Sequence, residues 1–72
     1  MSPLRKARID NGWTLEEVCA KASAISDLRL DTGNLSRIER GEQRASAAMA
    51  ECLSKVFAGV IDEIHILYPE RF

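Results

Sequence analysis

The chain has few of the residue types that mark metal sites, disulfide scaffolds and membrane spans. Its 72 residues include one histidine, two cysteines and two prolines. Cys19 and Cys52 have neither disulfide-type nor metal-type spacing, which is typical of a reducing cytoplasm. His65 lies in no cluster of metal-ligand residues, so we expect no metal and no cofactor. No apolar run approaches the roughly 18 residues that a membrane helix requires.

Other absences narrow the function further. The N-terminal residues lack the apolar core of a signal peptide, so we expect a cytoplasmic protein with no membrane partner. There is no glycine-rich elbow and no cluster of carboxylates, so we expect a protein that is not an enzyme. The net charge of −1 argues against a nonspecific polycation, and any binding of nucleic acid must come from local charge.

The apolar content favours a folded chain, because 46% of the residues are hydrophobic. We expect residues 1–72 to form a single small domain. A domain of this size buries only about 60% of the surface of its unfolded chain, so its stability is marginal. Efficient helix packing, a partner subunit, or both are needed to stabilise it.

Signals for helix ends divide the chain into five pieces. Residues with N-capping chemistry precede the first four predicted helices: Ser2, Thr14, Asp31 and Ser46. Glycines with C-terminal spacing follow three of these helices: Gly12, Gly41 and Gly59. In the first helix Leu4, Ala7 and Ile9 supply the apolar side. The fifth piece, "VIDEIHILYP", has spacing that suits a short helix and also a strand; we favour the helix, which Pro69 would end.

The stretch "DTGNLSRIERGEQR", from Asp31 to Arg44, is the most informative part of the sequence. At about 100° per residue, Leu35 and Ile38 share one face of a helix. The opposite face carries small and cationic residues: Gly33, Ser36, Arg37 and Arg40. Such a stripe can lie in the major groove of DNA, with phosphates along its margins. Taken alone, it is also typical of a solvated, salt-bridged surface helix.

The order of these motifs resembles that of the lambda-repressor-like, Cro/XRE-type helix-turn-helix family. The resemblance runs from about Leu4 to Ile64 and is strongest in "NLSRIERGEQRAS", with "LRKARIDNGWTLEEVCAKA" matching the first two helices. It implies a compact, all-α, five-helix fold. It also implies a sequence-specific transcriptional regulator, usually a repressor of phage, prophage or antitoxin type, that binds an inverted-repeat operator in double-stranded DNA as a homodimer.

The resemblance also assigns roles to individual residues. Base contacts fall on the first turns of helix 3: Thr32, Gly33, Asn34, Ser36 and Arg37. Phosphate contacts fall on the start of helix 2 and on the loop after helix 3: Thr14, Leu15, Arg40, Gln43 and Arg44. A structural ion pair that ties helix 3 to helix 1 falls on Arg8 and Glu39. Cys19 takes a helix 2 position where the family prefers alanine, so core packing is favoured there over a redox switch.

The chain departs from the family between helices 2 and 3. "SAISDLRL" adds about six residues to a turn that normally has about three or four. Either helix 2 runs longer or the turn becomes a true loop. Arg29 is then either a solvated loop residue, which we favour, or a further phosphate contact.

The last residues, "IHILYPERF", suggest a second surface. A small domain should not expose all of these apolar side chains. We expect residues 60–72 to include a dimerisation segment, although some of its side chains can instead close the domain's own core. The interface residues are predicted to be Ile64, Ile66, Leu67, Tyr68 and Phe72. The alternative function is a protein-interaction module, or an antirepressor, whose helix-turn-helix face binds a protein partner.

Overall fold

The computed structural model describes residues 2–68, and all regular secondary structure in that range is helical. The helices are α1 (Pro3–Asp10), α2 (Leu15–Ile25), α3 (Thr32–Glu39), α4 (Ala47–Val56) and α5 (Glu63–Leu67). The all-helical prediction is confirmed, and the ambiguous fifth segment is a helix. Pro69 and Phe72 lie outside the described residues. Within residues 2–68, no helix is both long and apolar enough to cross a membrane.

The helices begin where the capping chemistry predicts. The side chains of four residues each accept a hydrogen bond from the backbone N–H three positions later: Ser2, Thr14, Asp31 and Ser46. At α2 the arrangement is reciprocal, because Glu17 also accepts from the Thr14 N–H at 3.2 Å. Each such cap is worth about 1 kcal/mol. Gly41, with φ of +76°, lets the chain turn away directly after α3.

The core is one apolar cluster to which each helix contributes. Its most deeply buried large side chains are Val18 of α2, Leu35 of α3 and Leu53 of α4. α4 packs against α2 and α5, while α2 also packs against α3. The indole of Trp13 contacts the ring of Phe57, with 5.4 Å between ring centroids. The sequence prediction for α1 was only partly right, since Leu4 and Ala7 are buried but Ile9 is 45% exposed.

The connection between α2 and α3 has both a longer α2 and a true loop. α2 runs on to Ile25, and residues 26–31 then form a loop of six residues without helix. Leu30 is buried in the core and Leu28 packs partly against it. Because its apolar side chains are anchored, the loop follows the surface of the protein instead of leaving it.

A bidentate ion pair joins α1 to α3. Arg8 Nε lies 2.7 Å from Glu39 Oε2, and Arg8 Nη2 lies 3.1 Å from Glu39 Oε1. Arg8 Nη1 also donates to the carbonyl of Trp13 at 3.0 Å. The side chains are 14% and 4% exposed, and Glu39 is the one buried charged residue of the described range. The hydrogen bonds to Glu39 raise the pKa of Arg8.

The burial of the Arg8–Glu39 pair predicts that removing its cation costs more stability than removing the cation of an exposed pair. Arg8→Ala leaves a buried carboxylate without its cation and should lower the free energy of unfolding by about 2–4 kcal/mol in a urea titration. The matched control is Lys6→Ala, because Lys6 pairs with Asp10 at 4.0 Å on the exposed side of the same helix. It should cost less than about 0.5 kcal/mol.

A second variant tests the cause of that loss. Adding Glu39→Gln to Arg8→Ala removes the uncompensated charge and should restore part of the lost stability. If Arg8→Ala costs no more than Lys6→Ala, the pair does not anchor α3.

Candidate nucleic-acid interface

The N-terminal ends of α2 and α3 open onto the same surface. Thr14, Leu15, Glu16 and Thr32 line one shallow cleft of about 390 Å³. The backbone N–H groups of Leu15 and Glu16 precede the first hydrogen bonds of α2, and neither has a partner within residues 2–68. Helix N-termini carry partial positive charge and offer unpaired N–H groups, which suits an anionic ligand such as phosphate.

The side chains at the start of α2 differ in what they can offer a phosphate. Thr14 is exposed, and its Oγ1 accepts from Glu17 N while its hydroxyl hydrogen can still be donated. Leu15 packs its side chain partly against the core, so only its N–H can serve the predicted contact. Glu16 is exposed beside them and its carboxylate opposes an anion, a feature that the sequence prediction did not weigh.

The predicted outward face of α3 is on the solvent side. Thr32, Gly33, Arg37 and Arg40 are exposed, while Asn34 and Ser36 are half-buried. Leu35, Ile38 and Glu39 are the buried residues of this helix. The carboxylate of Glu39 is thus withdrawn from the surface on which its neighbours Arg37 and Arg40 lie.

Arg37 joins two other predicted contact residues into one hydrogen-bonded group. Its Nη2 donates to Asn34 Oδ1 at 2.6 Å, and its Nε donates to Gln43 Oε1 at 3.1 Å. The guanidinium lies beside Gly33, where an added Cβ would be 3.5 Å from Nη1. The three-residue spacing of Asn34 and Arg37 on a helix is compatible with such a contact, whereas the link to Gln43 depends on the path of the loop after α3.

The remaining basic residues extend from this group along the loop. Arg40 Nε lies 3.0 Å from Glu42 Oε2, and both side chains are largely exposed. The guanidinium carbon of Arg44 lies 5.4 Å from the centroid of the Tyr68 ring, within the range of a cation–π contact. Arg44 therefore connects the loop after α3 to the end of α5.

The predicted dimer surface is smaller than the sequence suggested. Ile64 is 52% exposed and Tyr68 is 37% exposed, but Ile66 is only 3% exposed and belongs to the core. Including Ile66 in the interface was wrong. At about 100° per residue, Ile66 lies on the opposite side of α5 from Ile64, whereas Tyr68 returns to the side of Ile64. Leu67 is half-buried, and Phe72 lies outside the described residues.

The two cysteines have the properties of packing residues. Burial is the main cause that raises the pKa of Cys19 and of Cys52, which lowers the fraction of reactive thiolate. Cys52 is buried, and its Sγ donates to the Ala22 carbonyl at 3.4 Å. Within residues 2–68, no group of His, Cys, Asp and Glu side chains is arranged to hold a metal ion.

A second, larger cleft of about 520 Å³ runs along the loop between α2 and α3. Arg29 is exposed there, and the acidic residues Asp27 and Asp31, two positions away on either side in the sequence, also line the cleft.

Comparison of the chain with protein-family models, with curated proteins and with solved structures gives no match. The function is therefore inferred from the chemistry of the surfaces described above.

Proposed function

We propose that the chain is a sequence-specific DNA-binding transcriptional regulator of the lambda-repressor-like helix-turn-helix type, acting as a repressor. α2 and α3 are the two helices of the motif, and α3 enters the major groove. The observation that carries the proposal is the exposed side of α3 with its cations Arg37 and Arg40, beside the cleft that the N-terminal ends of α2 and α3 line together. Such a face supplies donors for base edges and for phosphates in one continuous surface.

The contact roles divide along this surface. Thr32, Gly33 and Arg37 reach the base edges from the exposed side of α3, with Asn34 and Ser36 beside them. Phosphates on one margin of the groove meet Thr14 and the Leu15 N–H. On the other margin they meet Arg40, Gln43 and Arg44, which are all exposed. Arg37, Arg40 and Arg44 lie along one part of this surface, which supports binding of a polyanion by a chain whose net charge is −1.

The lengthened loop is compatible with this assignment. α2 packs directly against α3, and Leu30 and Leu35 are buried in the same core on either side of the Asp31 cap. The extra residues extend α2 to Ile25 and form the loop of residues 26–31. Arg29 is exposed in this loop and shares its cleft with two acidic residues, Asp27 and Asp31, so we assign it no phosphate contact.

Two copies of the chain fit a two-fold symmetric operator. Recognition helices about 34 Å apart would read successive major grooves on one side of the duplex. Linking two modules also raises affinity through effective concentration. We assign the contact between copies to the exposed side of α5, where Ile64 and Tyr68 lie. Repression then follows from occupancy of the promoter and requires neither catalysis nor a cofactor, as for regulators of phage or antitoxin type.

The test begins with capture of genomic DNA fragments by the purified protein, followed by binding to the recovered site over a range of salt concentrations. The proposal predicts a short inverted repeat. It also predicts that log K falls with log salt by roughly 0.9 for each phosphate neutralised. Arg44→Ala should weaken binding to all sequences and reduce this slope by about one unit.

The matched control is Lys55→Ala, which removes a cation from an exposed pair with Glu51 on α4. It should leave the slope unchanged. If no site is enriched and retention does not respond to salt, the face of α3 serves a protein partner, and the DNA-binding proposal is wrong. A steep slope that is identical for Arg44→Ala and wild type would remove only Arg44 from the footprint.

The α5 surface generates a separate prediction. Ile64→Asp places a charge in the contact between copies, and sedimentation velocity should show a monomer where the wild-type protein is a dimer. Because Ile64 is 52% exposed, the substitution leaves the core intact. Ile25→Asp is the matched control, since Ile25 is 45% exposed at the end of α2 and should leave the dimer unchanged. A dimer that persists in Ile64→Asp would place the interface elsewhere.

A further inference from the structure

The contacts of Arg37 determine which atoms of its neighbours face outward. A guanidinium has only N–H donors, so the amide atoms that face it must be the oxygens of Asn34 and Gln43. The NH₂ groups of both amides then point away from Arg37. Arg37 itself has five N–H donors and uses two of them in these contacts. The three side chains together therefore offer mainly donors to a ligand.

The group is held in place from several directions. The backbone N–H of Gln43 donates to the Arg37 carbonyl at 3.3 Å, and the N–H of Glu42 donates to the same oxygen at 2.9 Å. Gln43 is thus tied to Arg37 by its backbone as well as by its side chain. On the other side the guanidinium lies beside Gly33, where an added Cβ would be at ordinary contact distance from Arg37 Nη1, 3.5 Å.

A ligand edge that matches this group carries acceptors. In the major groove guanine offers two adjacent acceptors, O6 and N7, which the three remaining donors of Arg37 can satisfy. Adenine offers one acceptor and one donor, so for Asn34 to pair with it, Oδ1 would have to accept from the base as well as from Arg37. The choice of guanine rests on the proposed function and adds to it the base that α3 recognises.

We infer that Asn34, Arg37 and Gln43 form one donor cluster that recognises a guanine in the major groove. Arg37 makes the base contact. Asn34 and Gln43 are positioning residues that hold the guanidinium in its reading orientation, and Asn34 does not read an adenine on its own. Because the guanidinium is already ordered before DNA binds, less side-chain freedom is lost on recognition.

The test is selection from a randomised DNA duplex library with the full chain. Wild-type protein is compared with Arg37→Ala, Asn34→Ala and Gln43→Ala, and Arg5→Ala serves as the control because Arg5 is an exposed cation of α1 without a side-chain partner in residues 2–68. All replaced side chains are exposed or half-buried, and thermal unfolding verifies that each variant is folded. The readout is the preference for guanine over the other bases at each position of the selected site.

The donor cluster predicts that the three variants change the same base position. Arg37→Ala should abolish a guanine preference of about tenfold or more. Asn34→Ala and Gln43→Ala should each reduce the preference at that position severalfold and leave the others as in wild type. Asn34→Asp keeps an acceptor for Arg37 and should retain the guanine preference even though the added charge weakens overall binding. Arg5→Ala should select the wild-type site.

Other outcomes overturn the inference and separate it from the proposed function. If Asn34→Ala removes an adenine preference at another position and leaves the guanine preference intact, Asn34 reads a base independently and the inference is wrong while DNA binding stands. If Arg37→Ala weakens all sequences equally, Arg37 is a phosphate contact, again with DNA binding intact. If wild-type protein enriches no site, the proposed function fails and the inference fails with it.

A measurement without DNA tests the cluster separately. In the free protein, hydrogen exchange at Arg37 Nε–H should be slower than at Arg5 Nε–H, because the Arg37 group donates to Gln43. Gln43→Ala should make the two rates similar. Equal rates in the wild-type protein would show that the guanidinium is not held, and the cluster would not exist before binding.

Discussion

The bidentate contact between Arg8 and Glu39 is the constraint on which the orientation of α3 depends. The helix has only eight residues, and its buried apolar side chains are Leu35 and Ile38. Glu39 adds a charged anchor at its C-terminal end, where Arg8 holds both carboxylate oxygens and also binds the Trp13 carbonyl. One side chain thereby fixes α3 relative to α1 and to the turn that leads into α2. If α3 meets a rigid duplex as proposed, a helix fixed in this way would lose less freedom on binding.

The ion pair between Arg8 and Glu39 also keeps the acidic side chain of α3 apart from its basic ones. A carboxylate and two guanidinium groups occupy residues 37–40, yet the carboxylate is buried and paired while Arg37 and Arg40 are exposed. Net charge therefore says little about what the surface offers a ligand. The chain carries −1 overall, but between residues 32 and 40 the exposed charged side chains are both cations, Arg37 and Arg40, and this side of α3 is rich in N–H donors. Glu16 and Glu42 border this face, and their carboxylates limit binding that depends on phosphate alone.

Much of the fold follows from local chemistry that is visible in the sequence. Helix capping could be predicted because it needs only a side-chain oxygen three residues before an unpaired backbone N–H. Four helices begin in this way, at Ser2, Thr14, Asp31 and Ser46. The inward and outward faces of α3 follow from helical periodicity. Ile66 was assigned wrongly because apolar character alone does not separate core from interface in a short terminal helix. Its burial depends on how α5 packs against α4 and α1.

The contacts of Arg37 were harder to predict for a related reason. Asn34, Arg37 and Gln43 were each assigned a separate contact with DNA, but in the free protein they bind one another. The link to Gln43 depends on Gly41, whose positive φ turns the loop back so that the N–H groups of residues 42 and 43 reach the Arg37 carbonyl. Such a contact depends on the path of the backbone after the helix ends, and residue spacing alone does not determine that path.

The central claim is that the exposed face of α3, with the start of α2, is the surface that meets DNA. Its most direct test is an NMR titration of ¹⁵N-labelled protein with a short duplex that carries the recovered site, at low salt, where phosphate contacts are strongest. We expect the largest amide shifts at Leu15, Thr32, Gly33 and the loop from Gly41 to Arg44, and little change at Ile64 on α5. Shifts concentrated on α5, or a spectrum that DNA does not change, would contradict the assignment of this surface.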